Sequence, residues 1–415
     1  KGLSLALSYS YELVDEDIMR KPVLLEGWNF LTDQVTYTTK TKFNITNEDN
    51  KIERYFNDAV LRYHHKFFKN SLTLDYMLGA SQELYRAKNL HVTKQDMIDL
   101  GMSVLDGATG QASANGGISE WAMRSVFSRL NLNWQDRYLL EFNLRADGSS
   151  RFLKNKRWGY FPSLSAAWRM DQEKFMEGAF NGKLSNLKLR VSYGSLGNNN
   201  VGNYASQSLY TSDKGALNYV LGNTMVTGMA QIALANSLLT WESTKVFDVG
   251  LDFGWFNNRL TGTLDYFNKR TTDILIDLPA PAVHGTTSLP KVNSATVTNH
   301  GLEFTLGWQD QVNGFSYGAT ANFTYIKNKV NKFKGTDKGG MAISGANLIW
   351  EGHSINSQYL LRVDRLLQTD EDMQRVQQII DNAPTGADGN KLNPFAAFGT
   401  PKKGDLLYKD INNDG

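Results

Sequence analysis

The sequence predicts an all-β fold, an antiparallel β-barrel that crosses an outer membrane with its strands. Three observations predict it: runs of alternating apolar and polar residues, recurrence of those runs along the chain, and connections that alternate between short and long. The best-formed stretch is WESTKVFDVGLDFGWFNNRLTGTLDYFNKRTTDIL at residues 241–275. Phe247, Val249, Leu251, Phe253 and Trp255 fall on one face, with Asp248, Gly250, Asp252 and Gly254 between them. That is period two, the signature of a strand with one oily face. After the Asn257-Asn258 turn, Leu260, Gly262, Leu264 and Tyr266 resume the pattern, so the pair reads as a hairpin with a minimal loop. Each arm has about the ten residues that a tilted strand needs to cross a bilayer, where a globular strand has about five or six. One such hairpin also fits a half-exposed soluble sheet; repetition along the chain decides for the barrel.

In order, Leu3 to Tyr11 alternate as a first strand, and residues 12–53 follow as a long polar connection in which 35–45 alternates and forms an extra hairpin arm. Tyr55 to Tyr63 make a weaker strand, and a turn at Phe68-Lys69-Asn70 leads to Leu72, Leu74, Tyr76, Leu78 and Ala80. Residues 83–120 read as a second long insert, rich in Gly, Ser and Asn over 107–117. Val126 to Trp134, the Gln135-Asp136 turn, and Leu140, Phe142, Leu144 and Ala146 form the cleanest hairpin. Strands follow at 158–168, where Pro162 lacks a ladder donor and requires a bulge or a strand end, then at 187–193, 247–255, 260–266, 302–308 and 315–325. This makes about eleven strands, with an incomplete twelfth beginning near Leu406.

Connections near 68, 135, 257 and 312 are a few residues long, whereas those at 12–53, 83–120, 196–243, 271–297 and beyond 328 are long. If every strand reverses direction, the short turns share one rim and the long loops the other, as in outer-membrane barrels with short periplasmic turns and long extracellular loops. The connection at 170–185 belongs to the short rim by parity, although it is of medium length. Trp134, Trp168, Trp255 and Trp308 all lie close to that rim, where amphipathic rings gather at a membrane interface.

Composition agrees. The 415 residues carry a net charge of +2 with charges spread throughout, which argues against nucleic acid as a partner. The mean hydropathy of −0.40 and the lack of a long apolar run exclude membrane helices but not a barrel, whose strands are half polar. No cysteine occurs, which removes disulfides, thiolate metal sites and thiol nucleophiles together. No signal peptide is visible at Lys1, so the chain is expected to be the interior of a longer secreted one.

The segments RADGSSRF (145–152), RWGYFPSLSAAWRM (157–170), LSNLKLRVSYGSLGNNN (184–200), WESTKVFDVGLDFG, LDYFNKRTTDIL, NSATVTNHGLEFTLGW (293–308) and GDLLYKDINNDG (404–415) resemble, in this order, the barrel of the SusC-like (RagA-type) TonB-dependent transporters of Bacteroidota. The resemblance implies a plugged barrel of about twenty-two strands that imports an oligosaccharide or peptide. It also implies a SusD-like surface lipoprotein capping the long-loop rim and the TonB–ExbB–ExbD complex energising opening through an N-terminal region. The plug and the first and last strands are not among these residues, so 1–415 is expected to be part of the barrel domain, about half of it. Half a barrel leaves open edges whose unpaired backbone groups cost several kcal/mol each in lipid.

Two other chemistries bear on the reading. Residues 410–415, DINNDG, match the opening of a calcium loop, with Asp410, Asn412 and Asp414 as candidate ligands for a structural Ca2+ in an extracellular loop; the same residues also favour a turn without an ion. No cofactor is required. Aromatic residues that could stack on a substrate are Trp121, Tyr204, Tyr210, Tyr219 and Trp350, but loop packing is the better explanation of each alone and none is assigned as a site. Catalysis has no motif behind it: HExxH, GxSxG and GxxxxGK do not occur. Adjacent His64 and His65 point to opposite faces of a strand and cannot share a metal. Residues 369–380, TDEDMQRVQQII, predict a short helix capped by Thr369, packed within an outer loop. A siderophore or cobalamin receptor, and a non-transporting surface barrel serving as adhesin or enzyme, are the competing readings.

Overall fold

The computed structural model describes residues 2–23, 25–38, 43–211, 217–233, 235–276, 291–333, 340–385, 395, 399–409 and 411. Strand β1 (Leu3–Arg20) is followed by a small hairpin, β2 (Glu26–Asn29) and β3 (Gln34–Thr38), then by β4 (Ile45–Phe67), β5 (Leu72–Lys94), β6 (Ala112–Trp134), β7 (Tyr138–Ser149), β8 (Trp158–Arg169) and β9 (Leu184–Asn198). Short strands β10 (Leu209–Thr211), β11 (Asn218–Leu221), β12 (Thr224–Thr227) and β13 (Ala230–Ala233) occupy the next connection. Long strands resume with β14 (Glu242–Trp255), β15 (Leu260–Ile276), β16 (Val292–Val312) and β17 (Phe315–Lys332). Short strands β18 (Ala342–Ser344), β19 (Asn347–Ile349), β20 (Ser357–Gln358), β21 (Val363–Leu366) and β22 (Leu406–Tyr408) follow, with helix α1 (Asp370–Asn382) between the last two.

The eleven long strands form one antiparallel meander in the order β1-β4-β5-β6-β7-β8-β9-β14-β15-β16-β17. Among the described residues the sheet does not close on itself, and β1 and β17 are its edges. In-register rows carry the apolar face across it: Tyr138 pairs with Trp168 and Trp168 with Leu189, while Leu140 pairs with Ala166 and Ala166 with Val191. Among the described residues this face is not covered by protein; Leu7 is 73% and Phe323 63% exposed. A sheet that displays its large apolar side chains over so many strands requires lipid as its solvent.

The strands run well past the alternation that marks them in sequence. β4, β5 and β6 each have 23 residues, roughly 75 Å of strand, where about ten residues cross a bilayer. Accordingly β1 continues to Arg20, β4 begins at Ile45, β5 ends at Lys94 and β6 begins at Ala112, inside stretches that read as connections. The reason lies in the positions that continue the apolar face: Lys51 and Glu53 on β4, Arg86 and Lys88 on β5, and Glu120 and Arg124 on β6. The ladder persists above the membrane with polar residues on both faces, so the apolar alternation stops before the strand does. The extra arm expected at 35–45 forms only as β3, paired with β2. The expected twelfth strand is a correction: β22 pairs with β21, away from the large sheet.

The short rim holds as parity requires. The 170–185 connection is three 3-10 turns, Met170–Gln172, Lys174–Met176 and Ala179–Gly182, folded against its neighbours. Glu173 accepts the Tyr138 hydroxyl at 2.6 Å and the Trp168 indole N–H at 3.1 Å, with Arg137 at 3.5 Å. Those two hydrogen bonds hold its carboxyl below the usual glutamate range. An aromatic chain continues along the rim, Phe180 against Trp255 at 5.0 Å, Trp255 against Phe256 and Phe256 against Trp308, both at 6.4 Å. Pro162 pairs with Leu144 of β7, and the β9 ladder begins only at Ser163, so the missing donor falls where that ladder has ended.

Beyond the sheet, α1 packs Val376 onto Leu367 and Leu407 as a small separate core. Thr369 caps it: its Oγ1 accepts the Asp372 N–H at 3.2 Å, and the Asp372 carboxylate accepts the N–H groups of Gln368 and Thr369, each at 3.0 Å. These backbone donors, with Arg365 at 3.2 Å, hold the Asp372 carboxyl well below its ordinary value. A depressed carboxylate pKa stabilises the fold above the unfolded-state value and loses that contribution as pH falls through the folded value. Protection of the α1 amides against hydrogen exchange is therefore expected to be full at neutral pH and to decline below about pH 4. Thr369→Ala should cost about 1 kcal/mol of local stability at pH 7 in the same experiment; an unchanged exchange pattern would refute the capping assignment.

Candidate functional site at the loop-side rim

The polar face of the sheet is a wall of ion pairs. Arg190 of β9 donates to both carboxylate oxygens of Asp252 on β14, at 2.8 to 3.0 Å, and to Asp265 on β15 at 2.8 Å. Lys188 approaches Asp252 at 3.9 Å. Gly250 makes this possible, because a Cβ there would collide with the Asp265 carboxylate and lie 2.6 Å from the Arg190 guanidinium. On β7, Arg145 chelates Asp147 at 2.8 and 2.9 Å and donates to Ser125 at 2.9 Å. These groups are satisfied by protein, which holds a charged part of the wall in place.

Where β7 and β8 stop short of their taller neighbours, the loops after β7 and β9 seal the exposed edge of β6. Ser150 N–H donates to the Ala122 carbonyl and its Oγ accepts the Ala122 N–H, both at 2.9 Å, while the Tyr204 hydroxyl accepts the Glu120 N–H at 3.1 Å. Arg151 donates to Asn203 at 2.9 Å and to the Asn199 carbonyl at 3.2 Å, and its guanidinium lies 5.1 Å over the Trp121 ring, which also stacks on Tyr85 at 5.5 Å. Burial pushes the Arg151 guanidinium down from the ordinary arginine value, although arginine remains protonated in proteins. Beneath these loops Phe152, Val201, Leu239 and Trp241 form a buried cluster, with Trp241 at 5.4 Å from both Phe152 and Phe161 and its indole N–H on the Arg157 carbonyl at 2.9 Å. Gly197 completes it, since any Cβ there would enter the Phe161 ring. Four sequence segments, 145–152, 157–161, 197–203 and 239–243, therefore meet at one knot.

A cavity of about 560 Å3 opens beside this knot, bordered by Tyr55, Arg86, Trp121, Arg157, Tyr204 and Gln207 among others. Of the aromatic candidates, Trp121 and Tyr204 are brought together here. Tyr210 lies on β10, Tyr219 on the β11–β12 hairpin, and Trp350 stacks on His353 at 4.6 Å; these three are elsewhere. Trp121 is on strand β6 and is engaged by Tyr85 and Arg151, so the protein itself supplies its ring partners. Arg151 and Arg157 were missed in the sequence because a lone arginine in a loop carries no periodic signal. His64 bonds Asp75 at 2.6 Å, and His65 packs against Phe67 at 4.3 Å on the opposite face, as the alternation requires. Among the described residues no group of three or more metal-binding side chains occurs. Asp410, Asn412 and Asp414 lie outside the described residues.

A meander of lipid-facing strands with an ion-paired inner wall can be compared with known barrels. The family model for the TonB dependent receptor-like β-barrel matches residues 2–357. The chain belongs to this family. Its localisation is therefore the outer membrane. TonB-dependent receptor SusC of Bacteroides thetaiotaomicron is 34% identical over 236 residues, 56% of this chain and 23% of that protein. TonB-dependent receptor P39 of Formosa agariphila is 32% identical over 310 residues, 71% of this chain and 28% of that protein. The chain thus spans about a quarter of the length of these relatives. In structure it is similar to the RagAB peptide importer in its closed-closed state, with a TM-score of 0.76 at 23% identity over 94% of this chain and 41% of that one. The family resemblance noted in the sequence motifs is thereby established, and the barrel fold with it.

Proposed function

We propose that the protein containing this chain is an active importer of a nutrient, an oligosaccharide or a peptide, energised by the TonB–ExbB–ExbD complex and capped by a SusD-like surface lipoprotein. In this reading the eleven strands are about half of a closed barrel, completed by further strands and a plug. The observation that carries it is the asymmetric architecture: a membrane band of about ten residues, a tight periplasmic rim, and strands β4, β5 and β6 that rise far above the bilayer toward the long-loop side. Such a raised wall offers an external partner a rigid seat. The structure of the RagAB peptide importer, which the chain resembles in fold, is consistent with the nutrient class. The family consists of receptors rather than enzymes, and no catalytic step is assigned.

The test is purification of the full-length protein from outer membranes in mild detergent, with mass spectrometry of what accompanies it. A stoichiometric lipoprotein supports the capped importer. Its consistent absence across several detergents sinks that reading and favours a small-ligand receptor of the siderophore or cobalamin kind, or a surface barrel.

A further inference from the structure

The cavity of about 560 Å3 beside the knot is rich in hydrogen-bond donors and unbalanced in charge. Trp121 stands thirteen residues from Trp134 at the short rim, about 43 Å along the strand and roughly 33 Å along the membrane normal at a tilt of about 40°. That height exceeds the roughly 25 Å of the apolar band, so the cavity lies in water on the long-loop side. Its volume is in the range of small-ligand sites, and Leu84 and Ala122 are the only aliphatic side chains that line it.

Three arginines line the cavity, Arg86, Arg151 and Arg157, against one acid, Glu120. Arg86 engages Glu120 at 3.1 Å, which neutralises that pair. Arg151 is held by neutral acceptors, Asn203 and the Asn199 carbonyl, and by the Trp121 ring. The Arg157 carbonyl accepts the Ser149 N–H at 3.1 Å and the Trp241 indole N–H, while among the described residues its guanidinium has no hydrogen bond or ion pair. The two bordering loops supply no compensation: residues 148–170 and 199–211 contain no Asp or Glu, and the turn after β7 carries Arg151, Lys154, Lys156 and Arg157. Acids on the neighbouring strands are engaged elsewhere, Asp147 by Arg145, Glu83 by Arg54, Glu53 by Tyr11 and Lys51, and Glu242 by Asn198 and the Leu275 N–H. Ser150 Oγ and the Tyr204 hydroxyl accept strand N–H groups, so each keeps its own proton to donate to a ligand.

We propose that this cavity binds an acidic sugar residue of the imported glycan, its carboxylate or sulfate against Arg151 and Arg157 and its hydroxyls on Ser150, Tyr204 and Gln207. The inference rests on the importer reading and narrows its substrate to an anionic oligosaccharide. Planar guanidinium forks match the oxygens of a carboxylate or sulfate, and neutral amide and hydroxyl groups match those of a sugar ring. A peptide lacks its usual purchase here. Extended peptides are commonly captured as an added strand on an open sheet edge, and Ser150 and Tyr204 already occupy the β6 edge. The Trp121 ring does not stack on the ligand, because Tyr85 and Arg151 cover it; it fixes the guanidinium.

The experiment is isothermal titration calorimetry of the full-length protein in mild detergent with tetragalacturonate, its neutral methyl ester, a heparin tetrasaccharide, tetraglutamate and lipopolysaccharide. Wild type is expected to bind one or both acidic oligosaccharides about tenfold more tightly than the methyl ester, the equivalent of about 1.4 kcal/mol, with the margin shrinking as salt rises. Arg157→Gln should remove that margin and Arg157→Lys should keep part of it, both with unchanged heat-modifiable mobility of the folded barrel. Lys154→Gln, on the same turn but not lining the cavity, should stay within about twofold of wild type. The site is overturned if neither acidic oligosaccharide binds, if the methyl ester binds as well, if Lys154→Gln costs as much as Arg157→Gln, or if tetraglutamate or lipopolysaccharide is preferred. The accompanying lipoprotein is read separately: its presence without acid-selective binding leaves the importer standing and removes the site, whereas acid-selective binding without it keeps the site and removes the capped importer.

Discussion

Arg190→Leu is expected to destabilise the barrel wall by about 2 kcal/mol, a buried ion-pair figure reduced for the residual exposure of its members. Asp265 is 18% exposed, Asp252 22% and Arg190 32%, so water screens the pairs only in part. Removing the guanidinium leaves two carboxylates without their principal cation. Glu303, directly across from Asp265 in the β15–β16 register, and Asp248, which faces Arg190 and Asp265, then add two further negative charges to the same patch. Neutralising the two carboxylates that Arg190 bridges should restore part of the loss: the triple variant Arg190→Leu, Asp252→Asn, Asp265→Asn is expected to be about 1 kcal/mol more stable than Arg190→Leu alone. Urea titration of the full-length protein in detergent reads both values. A single variant indistinguishable from wild type would show that the network behaves as exposed surface pairs do.

Trp241→Ala should produce the largest local effect, about 3 to 5 kcal/mol. The indole is 8% exposed, wedged between Phe152 and Phe161, and its N–H satisfies the Arg157 carbonyl. Its removal leaves a cavity under the two loops that seal the edge of β6. Because the meander has its own ladders, the barrel should stay folded while the knot opens. Trypsin then gains access to the bonds after Arg151 and Arg157, so cleavage in the 150–157 loop should rise at least tenfold over wild type with unchanged heat-modifiable mobility. Continued resistance would mean that the hydrogen bonds of Arg151, Asn199 and Asn203 hold the loops without the aromatic cluster.

The two experiments separate two layers of the molecule that the sequence presents as one series of motifs. Segments 184–200 and 241–254 contribute to both, through Arg190 and Gly250 in the wall and through Gly197 and Trp241 at the loop base. A glycine in a strand reads as a weak point in sequence. Its purpose becomes visible only when the Asp265 carboxylate and the Arg190 guanidinium from the two neighbouring strands are seen to fill the space a Cβ would need, and when Phe161 is seen to do the same at Gly197.

By itself the sequence determined the fold class, the count of eleven long strands, their faces and the assignment of turns to rims. The physical reason is that lipid on one side and water on the other enforce a strict alternation over the ten or so residues that cross the bilayer. Thr369 as a helix cap was legible for a similar reason, because its signal is local. Tertiary structure alone decided how far the strands rise above the membrane, since polar residues on both faces of β4, β5 and β6 carry no contrast to read. It also decided that Leu406–Tyr408 joins β21 rather than the sheet, because three residues have no register of their own. And it decided which aromatic residues meet: Trp121 and Tyr204 are separated by 83 positions in sequence and are joined only because the loop after β9 must satisfy the open edge of β6.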